Sequence, residues 1–363
     1  MEESMTPYIC LNLMLILLWL NNSRWNKKRN GCLYIGKKRV VSLKHLQITF
    51  AILVIALFMG LRGSFTTDYK NYCELFSSTI KRSFKDVLSG GAYEERGYLL
   101  LNKLFGLISN NANMFMLFEA LLFVFVIYAA AKKQTQDIFL FSIMFVNAGI
   151  YLHAFNLTRQ ALAAAIIYYA IQMLIEKKTW KYVFFIILAS LIHATSLVML
   201  VALPFLIQDI NVKNTLKMAV LLLVGLLLLK RIIGLVQMYR YTGYSYGMGA
   251  GTANAYVVQW AITVYTWIMI KRGALDIRQR KYKILMNCSI FYVMCSVAAL
   301  EVYQLSRLCY FFSTPMLLLS CNVLEKLKGE SGFWTEMILV LMLAAYMFVW
   351  ISGTPYVPYH TFL

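Results

Sequence analysis

The 363-residue sequence contains few charged residues, and acidic residues are the scarcest of them. Charged residues make up 14% of the chain, with 16 Asp and Glu against 35 Lys and Arg. Hydrophobic residues make up 60%, and the mean hydropathy is +0.64. Soluble domains of this length carry more charge on their surfaces, so the composition excludes them and predicts a polytopic membrane protein.

Motifs for metals, disulfides, nucleotides and secretion are also lacking. The seven cysteines show no CxxC or Cys/His spacing, which argues against a metal site or a disulfide framework. We find no DxD-like pair and no nucleotide-binding motif, so we expect no metal and no cofactor. The apolar stretch Met5–Leu20 has no small-residue cleavage site after it, and we predict that it is a membrane span rather than a signal peptide.

The basic residues collect in short loops between apolar segments, which is the pattern of the positive-inside rule. Loop 22–45 contains eight Lys and Arg and no acidic residue, so we assign it to the cytoplasm and the N-terminus to the outside. The net charge of +19 is therefore explained by membrane topology, and we expect no nucleic-acid partner.

The apolar segments predict an all-α protein with about 11–12 membrane segments in a single transmembrane domain over 1–363. The stretch Tyr182–Ile207 decides the topology. One long helix would place the basic cluster at 271–283 outside, whereas two short helices meeting near His193 place it inside. We therefore predict a short-helix hairpin with His193 at its outer turn, and a C-terminus outside. The other predicted spans are Leu46–Leu61, Asn113–Ala131, Asp137–His153, a span beginning at Asn156, Thr215–Gly234, Asn254–Ile270, Ile284–Leu300, Leu308–Leu324 and Phe333–Ile351.

Two extracytoplasmic loops follow from this topology, at 62–113 and 235–253. The first begins where an apolar run stops at Arg62, followed by Asp68 six residues later. Charges at a membrane surface cost desolvation energy, so these two either pair locally or belong to a site. The second loop is rich in tyrosine and glycine and carries Arg240. It is typical of a carbohydrate-facing lid or of an interfacial aromatic belt.

Polar residues gather on the predicted outer face, where ionisable groups are functional candidates because burying them is costly. Arginines suit phosphate or pyrophosphate, which they bind through bidentate hydrogen bonds. Arg159 lies near a helix start, which also favours an anion; the alternative is snorkelling to lipid headgroups. Gln160 either binds sugar hydroxyls or bonds a neighbouring helix.

Three residues are candidates for proton transfer. His193 is either a packing residue or a neutral imidazole that orients a phosphate or shuttles a proton. Asp68 and Glu95 are candidate general bases toward a sugar hydroxyl, unless each simply pairs with a nearby arginine. Glu119, inside a span, either makes a helix-packing hydrogen bond or lines the same cavity.

Taken together, these ordered elements resemble the EpsG family of bacterial exopolysaccharide proteins, which is related to the Wzy-type polysaccharide polymerases. The resemblance rests on the order, the spacing and the shared outer side of these elements. The elements are Arg62-Gly63…Asp68-Tyr69…Tyr72, Glu95-Arg96-Gly97-Tyr98…Leu101-Asn102, Asn156-Leu157-Thr158-Arg159-Gln160…Ala163, His193…Ser196, Arg307…Tyr310-Phe311, and Pro355-Tyr356 or Pro358-Tyr359.

The resemblance implies a GT-C-like or Wzy-like glycosyltransferase of the bacterial cytoplasmic membrane. It would join oligosaccharide units carried on undecaprenyl pyrophosphate into exopolysaccharide, capsule or O-antigen, without a metal. Expected partners are this lipid-linked donor, membrane lipids, and flippase and chain-length regulator proteins. Asp68, Glu95 and His193 are the candidate catalytic residues. The candidate substrate-binding residues are Arg62, Tyr69, Tyr72, Arg159, Gln160, Arg240 and Arg307.

Two rival functions remain at this point. A flippase for the lipid-linked unit would place its arginines at several depths, whereas here the charges crowd one face. A membrane O-acyltransferase would use a histidine in an apolar span, but it would need access to a cytoplasmic acyl donor. His193 is predicted to face outward, so we favour the polymerase.

Overall fold

The computed structural model describes residues 5–22, 32–35, 38–66, 68–89, 95–240, 256–302, 305–327 and 329–363. Within these ranges the chain forms sixteen α-helices, one short 3₁₀ helix and a two-stranded hairpin. The chain divides into two compact units, Met1–Leu197 with Leu327–Leu363 (unit 1) and Val198–Lys326 (unit 2). The predominance of helix confirms the predicted all-α class.

Unit 1 contains eleven of the α-helices in the described part of the chain. Helix α9 packs against α10 and α6, and α6 packs against α2. The helices are α1 (Thr6–Asn22), α2 (Leu43–Gly60), α3 (Tyr69–Thr79), α4 (Phe84–Ser89), α5 (Arg96–Phe105), α6 (Ala112–Gln134), α7 (Ile138–Asn147), α8 (Ile150–His153), α9 (Thr158–Ile175), α10 (Thr179–Ile192) and α16 (Gly329–Ile351), with the 3₁₀ helix at Ala194–Leu197.

Unit 2 is built around the neighbouring helices α14 and α15, whose Phe291 and Phe312 rings stack at 5.1 Å. Hydroxyl groups tie α13 to both, since Trp267 donates to Ser289 and Thr266 donates to Ser320. Such polar contacts between apolar helices satisfy hydrogen-bonding groups that lipid cannot. The helices of unit 2 are α11 (Val198–Ile207), α12 (Val212–Arg240), α13 (Val257–Lys271), α14 (Arg280–Ala298) and α15 (Ser306–Leu324).

Five helices of the described chain are long and apolar enough to cross a membrane, and several shorter apolar helices accompany them. A helix needs about 20 residues to span the hydrocarbon core, so α7, α10 and α11 fall short individually. The protein is therefore a multi-pass membrane protein, as the composition predicted. The five long spans are Leu43–Gly60, Ala112–Gln134, Thr158–Ile175, Ser306–Leu324 and Gly329–Ile351.

The predicted helix break at His193 is confirmed. Helix α10 ends at Ile192, His193 is extended (φ −150°, ψ 107°), and the 3₁₀ helix follows before α11. A second break was not predicted, because Asp137–His153 was taken as one span. The chain there divides into α7 and α8 around Gly149, whose φ of 82° is left-handed and interrupts an α-helix.

Two predicted loops contain regular structure. The basic loop 22–45 holds strands β1 (Cys32–Ile35) and β2 (Lys38–Ser42), which pair antiparallel. Helix α12 extends to Arg240, so the first residues of the predicted loop 235–253 are helical, while 241–255 lie outside the described residues.

The predicted outer loop 62–113 folds into α3, α4 and α5, held on α6 by aromatic side chains. Phe76 of α3 stacks on Phe115 of α6 with ring centroids 4.8 Å apart, and Phe105 of α5 meets Phe115 edge-on at 5.5 Å. Aromatic pairs at such distances add stabilisation beyond buried area. This packing fixes α3 and α5, which carry several of the predicted site residues.

The segment after α16 returns to the end of α2. The Gly63 N–H donates to the His360 carbonyl at 2.7 Å, and the Phe362 N–H donates to the Leu61 carbonyl at 3.1 Å. The Tyr359 ring stacks on Phe58 at 4.4 Å. The Arg62 stretch therefore lies between α2 and residues 359–362.

Candidate active site

A cluster of three ionisable side chains joins three separate parts of unit 1. The Glu95 carboxylate, at the start of α5, accepts a hydrogen bond from Arg159 Nη1 of α9 at 2.9 Å. Its other oxygen lies 2.7 Å from His193 Nδ1, at the end of α10. Glu95 and His193 are 98 positions apart in sequence. The cluster unites the catalytic candidates Glu95 and His193 with the binding candidate Arg159.

The charge state of Glu95 follows from these contacts. Burial alone would raise the pKa of its carboxyl, but the hydrogen bond from His193 and the charge of Arg159 hold that pKa below its usual range. The Ala194 N–H adds a third hydrogen bond at 3.3 Å. Glu95 is thus an ionised carboxylate at neutral pH with both oxygens occupied.

The contact with Glu95 also sets the tautomer of His193. An ionised carboxylate only accepts hydrogen bonds, so the proton of the contact belongs to Nδ1. In a neutral imidazole this leaves the lone pair on Nε2. That Nε2 is buried and has no hydrogen-bond partner among the described residues. His193 therefore has one nitrogen committed to the carboxylate and one free to accept a proton.

Two tyrosine rings hold the Arg159 guanidinium. Its Cζ lies 5.5 Å from the ring centroid of Tyr72 and 5.6 Å from that of Tyr98. A cation within about 6 Å of an aromatic centroid is attracted by the ring quadrupole. These contacts and the hydrogen bond to Glu95 orient Arg159, and its side chain remains 38% exposed.

The close approach of α5 to α10 depends on Gly97. A Cβ at this position would lie 2.6 Å from the Leu191 Cβ and 2.7 Å from the Leu191 carbonyl oxygen. Those distances are shorter than carbon atoms tolerate, so any larger residue would separate the two helices. Gly97 thus allows Glu95 and His193 to meet.

Residues 45–361, most of the chain, match the EpsG family. The chain belongs to the EpsG family. Neither a curated protein nor a solved structure matched it significantly. Membership indicates a polymerase-like protein of exopolysaccharide biosynthesis in a membrane, which agrees with the resemblance seen in the sequence.

Arg62 of this EpsG-family chain lies in a different environment from Arg159. Its side chain is fully buried, and Nη1 donates to the Met59 carbonyl at 2.6 Å. The rings of Tyr69 and Phe155 flank it, each 5.3 Å from its Cζ. Asp68 does not pair with it, so the local ion pair considered from the sequence is not formed. The structure does not expose Arg62 to a ligand.

Two other predicted residues of the Arg62 stretch, Asp68 and Tyr69, form hydrogen bonds with neighbouring parts of unit 1. The Asp68 N–H donates to the Asn156 side chain at 2.9 Å, just before α9, and its carboxylate makes no capping bond to α3. The Tyr69 hydroxyl donates to Asn113 of α6 at 2.9 Å, and burial raises its pKa to about 12, so it stays protonated. Gln160 is buried beside Arg159.

Arg240 and Arg307 belong to unit 2, and the cluster around Glu95 is built from unit 1 alone. Arg240 is the last residue of α12, and its side chain lies outside the described part. Arg307 lies in the first turn of α15 and is exposed. Both remain predictions as substrate-binding residues.

Two residues near Arg159 were not predicted as site residues. Tyr98 appeared only as part of a motif, yet it packs on Arg159 and donates to Glu119 at 3.2 Å. Glu119 is buried in α6, and its other oxygen has no partner among the described residues. The sequence signal for Glu119 was its position as a lone carboxylate inside an apolar span. Burying such a group costs free energy unless it bonds to a neighbouring residue. It therefore belongs to the polar network of the site.

Proposed function

We propose that this EpsG-family protein is a polysaccharide polymerase that joins oligosaccharide units carried on undecaprenyl pyrophosphate. We place the reaction at the outer face of a bacterial cytoplasmic membrane. The observation that carries the proposal is the Glu95 carboxylate held between Arg159 and His193. One carboxylate thus fixes a cation and a proton acceptor. Glycosyl transfer from a pyrophosphate-linked donor needs these two groups.

Arg159 is the pyrophosphate-binding group in this proposal. Its side chain is 38% exposed, whereas those of Glu95 and His193 are 16% and 15% exposed. An incoming anion therefore meets Arg159 first. Only one of its nitrogens is bonded to Glu95, and the guanidinium has five N–H donors. The remaining donors suit the oxygens of a pyrophosphate leaving group.

His193 is the proposed general base, with Glu95 as its positioning residue. A carboxylate whose pKa is lowered is a weak proton acceptor, which disfavours Glu95 itself. The bond from Nδ1 to Glu95 fixes the ring and stabilises the imidazolium that forms when Nε2 accepts a proton. Asp68 has no contact with the cluster in the described structure and is the weaker candidate.

The proposed reaction is a single displacement of pyrophosphate. A hydroxyl oxygen of the acceptor sugar forms a bond to the anomeric carbon of the donor, and its proton passes to His193 Nε2. The bond between the anomeric carbon and the pyrophosphate oxygen breaks, and the electron pair leaves with undecaprenyl pyrophosphate. Arg159 stabilises the charge that develops on that oxygen. The donor is already activated, so we propose no cofactor.

The test is complementation of a strain lacking the gene with Arg159→Ala, Glu95→Gln or His193→Ala. Each variant is checked for normal abundance in the membrane, and Glu74→Gln, at a 66%-exposed position of α3, serves as the control. We expect single lipid-linked units to accumulate on the outer leaflet, with long polymer made only by the control. Normal polymer in all three variants would overturn the proposed site. Units trapped on the inner leaflet would identify a flippase instead.

A further inference from the structure

An apolar groove of about 480 Å³ lies between α5, α6, α9 and α10 of unit 1. Its volume falls within the range of about 300–1,000 Å³ that ligand pockets take. The side chains that line it are hydrocarbon apart from the hydroxyl group of Tyr169. Such a lining has no groups to bind a sugar or a phosphate, but it accepts a hydrocarbon chain.

The lining of the groove includes residues close in sequence to all three members of the cluster around Glu95. Gly97 follows Glu95 by two residues, Ile192 directly precedes His193, and Leu162 lies one helical turn after Arg159. A ligand with its anionic group at Arg159 therefore has the groove open beside that group.

The groove then follows the helices away from Arg159. Along α9 it is lined by Leu162, Ile166 and Tyr169, and the last of these lies ten residues beyond Arg159, about 15 Å along the helix axis. Leu188 and Phe185 continue it along α10, where Phe185 meets Tyr169 edge-on at 5.2 Å. The result is an elongated path rather than a round pocket.

We infer that this groove holds the first part of the polyisoprenoid chain of the lipid-linked substrate, while its pyrophosphate lies on Arg159. This inference rests on the proposed function and adds the position of the lipid. A bilayer phospholipid also joins hydrocarbon chains to a phosphate, so the experiment below compares the two lipids. Groove residues lie close in sequence to Glu95, His193 and Arg159, which favours a lipid with its anionic group at this cluster. A polyisoprenoid pyrophosphate is the lipid of this kind that the proposed function supplies.

Shape rather than hydrophobicity selects the chain in this groove. Lipid tails are as apolar as leucine, so moving a chain from bilayer to groove gains little from the hydrophobic effect. The benefit is the fixed direction of the chain, which aligns the pyrophosphate and anomeric carbon with His193. Filling the groove should therefore weaken binding of the long-chain lipid and leave pyrophosphate binding intact.

The experiment compares two neighbouring residues of α10 that are both exposed, Leu188 inside the groove and Ile187 outside it. The full chain is placed in nanodiscs of phosphatidylethanolamine and phosphatidylglycerol. Native mass spectrometry measures binding of undecaprenyl pyrophosphate, and inorganic pyrophosphate is added as the competitor without a chain. Val126→Trp, on the α6 wall, is a second groove variant in case Leu188→Trp does not fold, with Phe125→Trp as its control.

We expect Leu188→Trp and Val126→Trp to bind undecaprenyl pyrophosphate roughly tenfold more weakly, as an added ring overpacks the path of the chain. Their affinity for inorganic pyrophosphate should be unchanged, and Ile187→Trp should match the wild type in both. Arg159→Ala should weaken both ligands.

Unchanged long-chain binding in both groove variants would overturn the groove inference. Loss of co-purifying phosphatidylglycerol with unchanged undecaprenyl pyrophosphate binding would also overturn it, and would assign the groove to a bilayer lipid. Unchanged binding of both ligands by Arg159→Ala would instead contradict the pyrophosphate site of the proposed function, whatever the groove variants do.

Discussion

Arg62 and Arg159 have similar aromatic surroundings and opposite accessibility. Each guanidinium lies between two aromatic rings at 5.3–5.6 Å. Arg62 is fully buried and bonds to a backbone carbonyl and a hydroxyl, whereas Arg159 is 38% exposed and bonds to a carboxylate. The same residue type in the same kind of aromatic cage thus serves two purposes. We infer that Arg62 organises the fold and Arg159 meets the substrate.

The largest expected effect is on catalysis at Arg159. Arg159→Ala should lower the rate of polymer formation by about 10²–10³-fold, the loss typical of removing one group that stabilises a developing anion. Its thermal unfolding temperature should stay close to that of the wild type, because the side chain is partly exposed. Polymer per unit of membrane protein and the unfolding temperature measure the two effects. A normal rate would place the substrate elsewhere.

The second expected effect is on stability at Arg62. Arg62→Ala should destabilise the folded protein by about 3 kcal/mol, because it leaves a cavity and removes the partners of Met59 and Thr158. Arg62→Lys should also destabilise, since an ammonium lacks the planar shape that two rings enclose. Thermal unfolding in detergent measures both.

The protein that remains folded in the Arg62 variants should polymerise at the wild-type rate. If Arg62→Ala instead keeps its unfolding temperature and loses polymer, then Arg62 belongs to the substrate site, as the sequence suggested. That result would remove the distinction between the two arginines.

A smaller effect is expected from Gly97→Ala. The new methyl would press on the Leu191 backbone and cost about 1–3 kcal/mol unless α5 and α10 separate. Separation would lengthen the contact from Glu95 to His193, so polymer formation should fall. The affinity for pyrophosphate should stay at the wild-type value, unlike that of Arg159→Ala. Gly106→Ala is the matched control, because its Cβ would press only on the Ile80 side chain and the Lys103 carbonyl. Equal polymer from both would contradict the role of Gly97.

The smallest effect is expected from pH. The Glu95 pKa is lowered in the folded protein from its ordinary value of 4.5, so the contribution of its ion pair to stability is complete above pH 4.5. It is lost only as the pH falls through the lower folded-state pKa. Wild type should therefore lose about 1–3 °C of unfolding temperature below pH 4.5 relative to Glu95→Gln. Parallel curves for the two proteins would contradict this ion pair.

The helical class and one of the two helix breaks could be predicted from the sequence, but the other break could not. Charge counts alone placed the helix break at His193, because the later basic cluster had to lie inside. The break at Gly149 was missed, since a glycine in an apolar segment is often tolerated within a span and only its positive φ reveals the interruption.

The site was predicted by residue type but not by pairing. Glu95, Arg159 and His193 were all candidates, yet nothing local joins residues 64 and 98 positions apart. Glu95 was one of two candidate general bases, with pairing to an arginine as the alternative, and its three hydrogen bonds support the positioning role proposed for it. The burial of Arg62 was equally hidden, because its neighbours at residues 360–361 come from the far end of the sequence.

The pairing of residues 61–63 with residues 360–362 has a consequence for biosynthesis. Tyr359 is 301 positions from Phe58, whose carbonyl accepts a 2.6 Å hydrogen bond from the Tyr359 hydroxyl. A ribosome adding about 5–20 residues per second needs about 15–60 s to make the intervening chain. During that interval helix α2 is already available for insertion, while its C-terminal end lacks the segment that covers it. The contacts of the Arg62 stretch with residues 359–362 therefore form only after the intervening chain has been made.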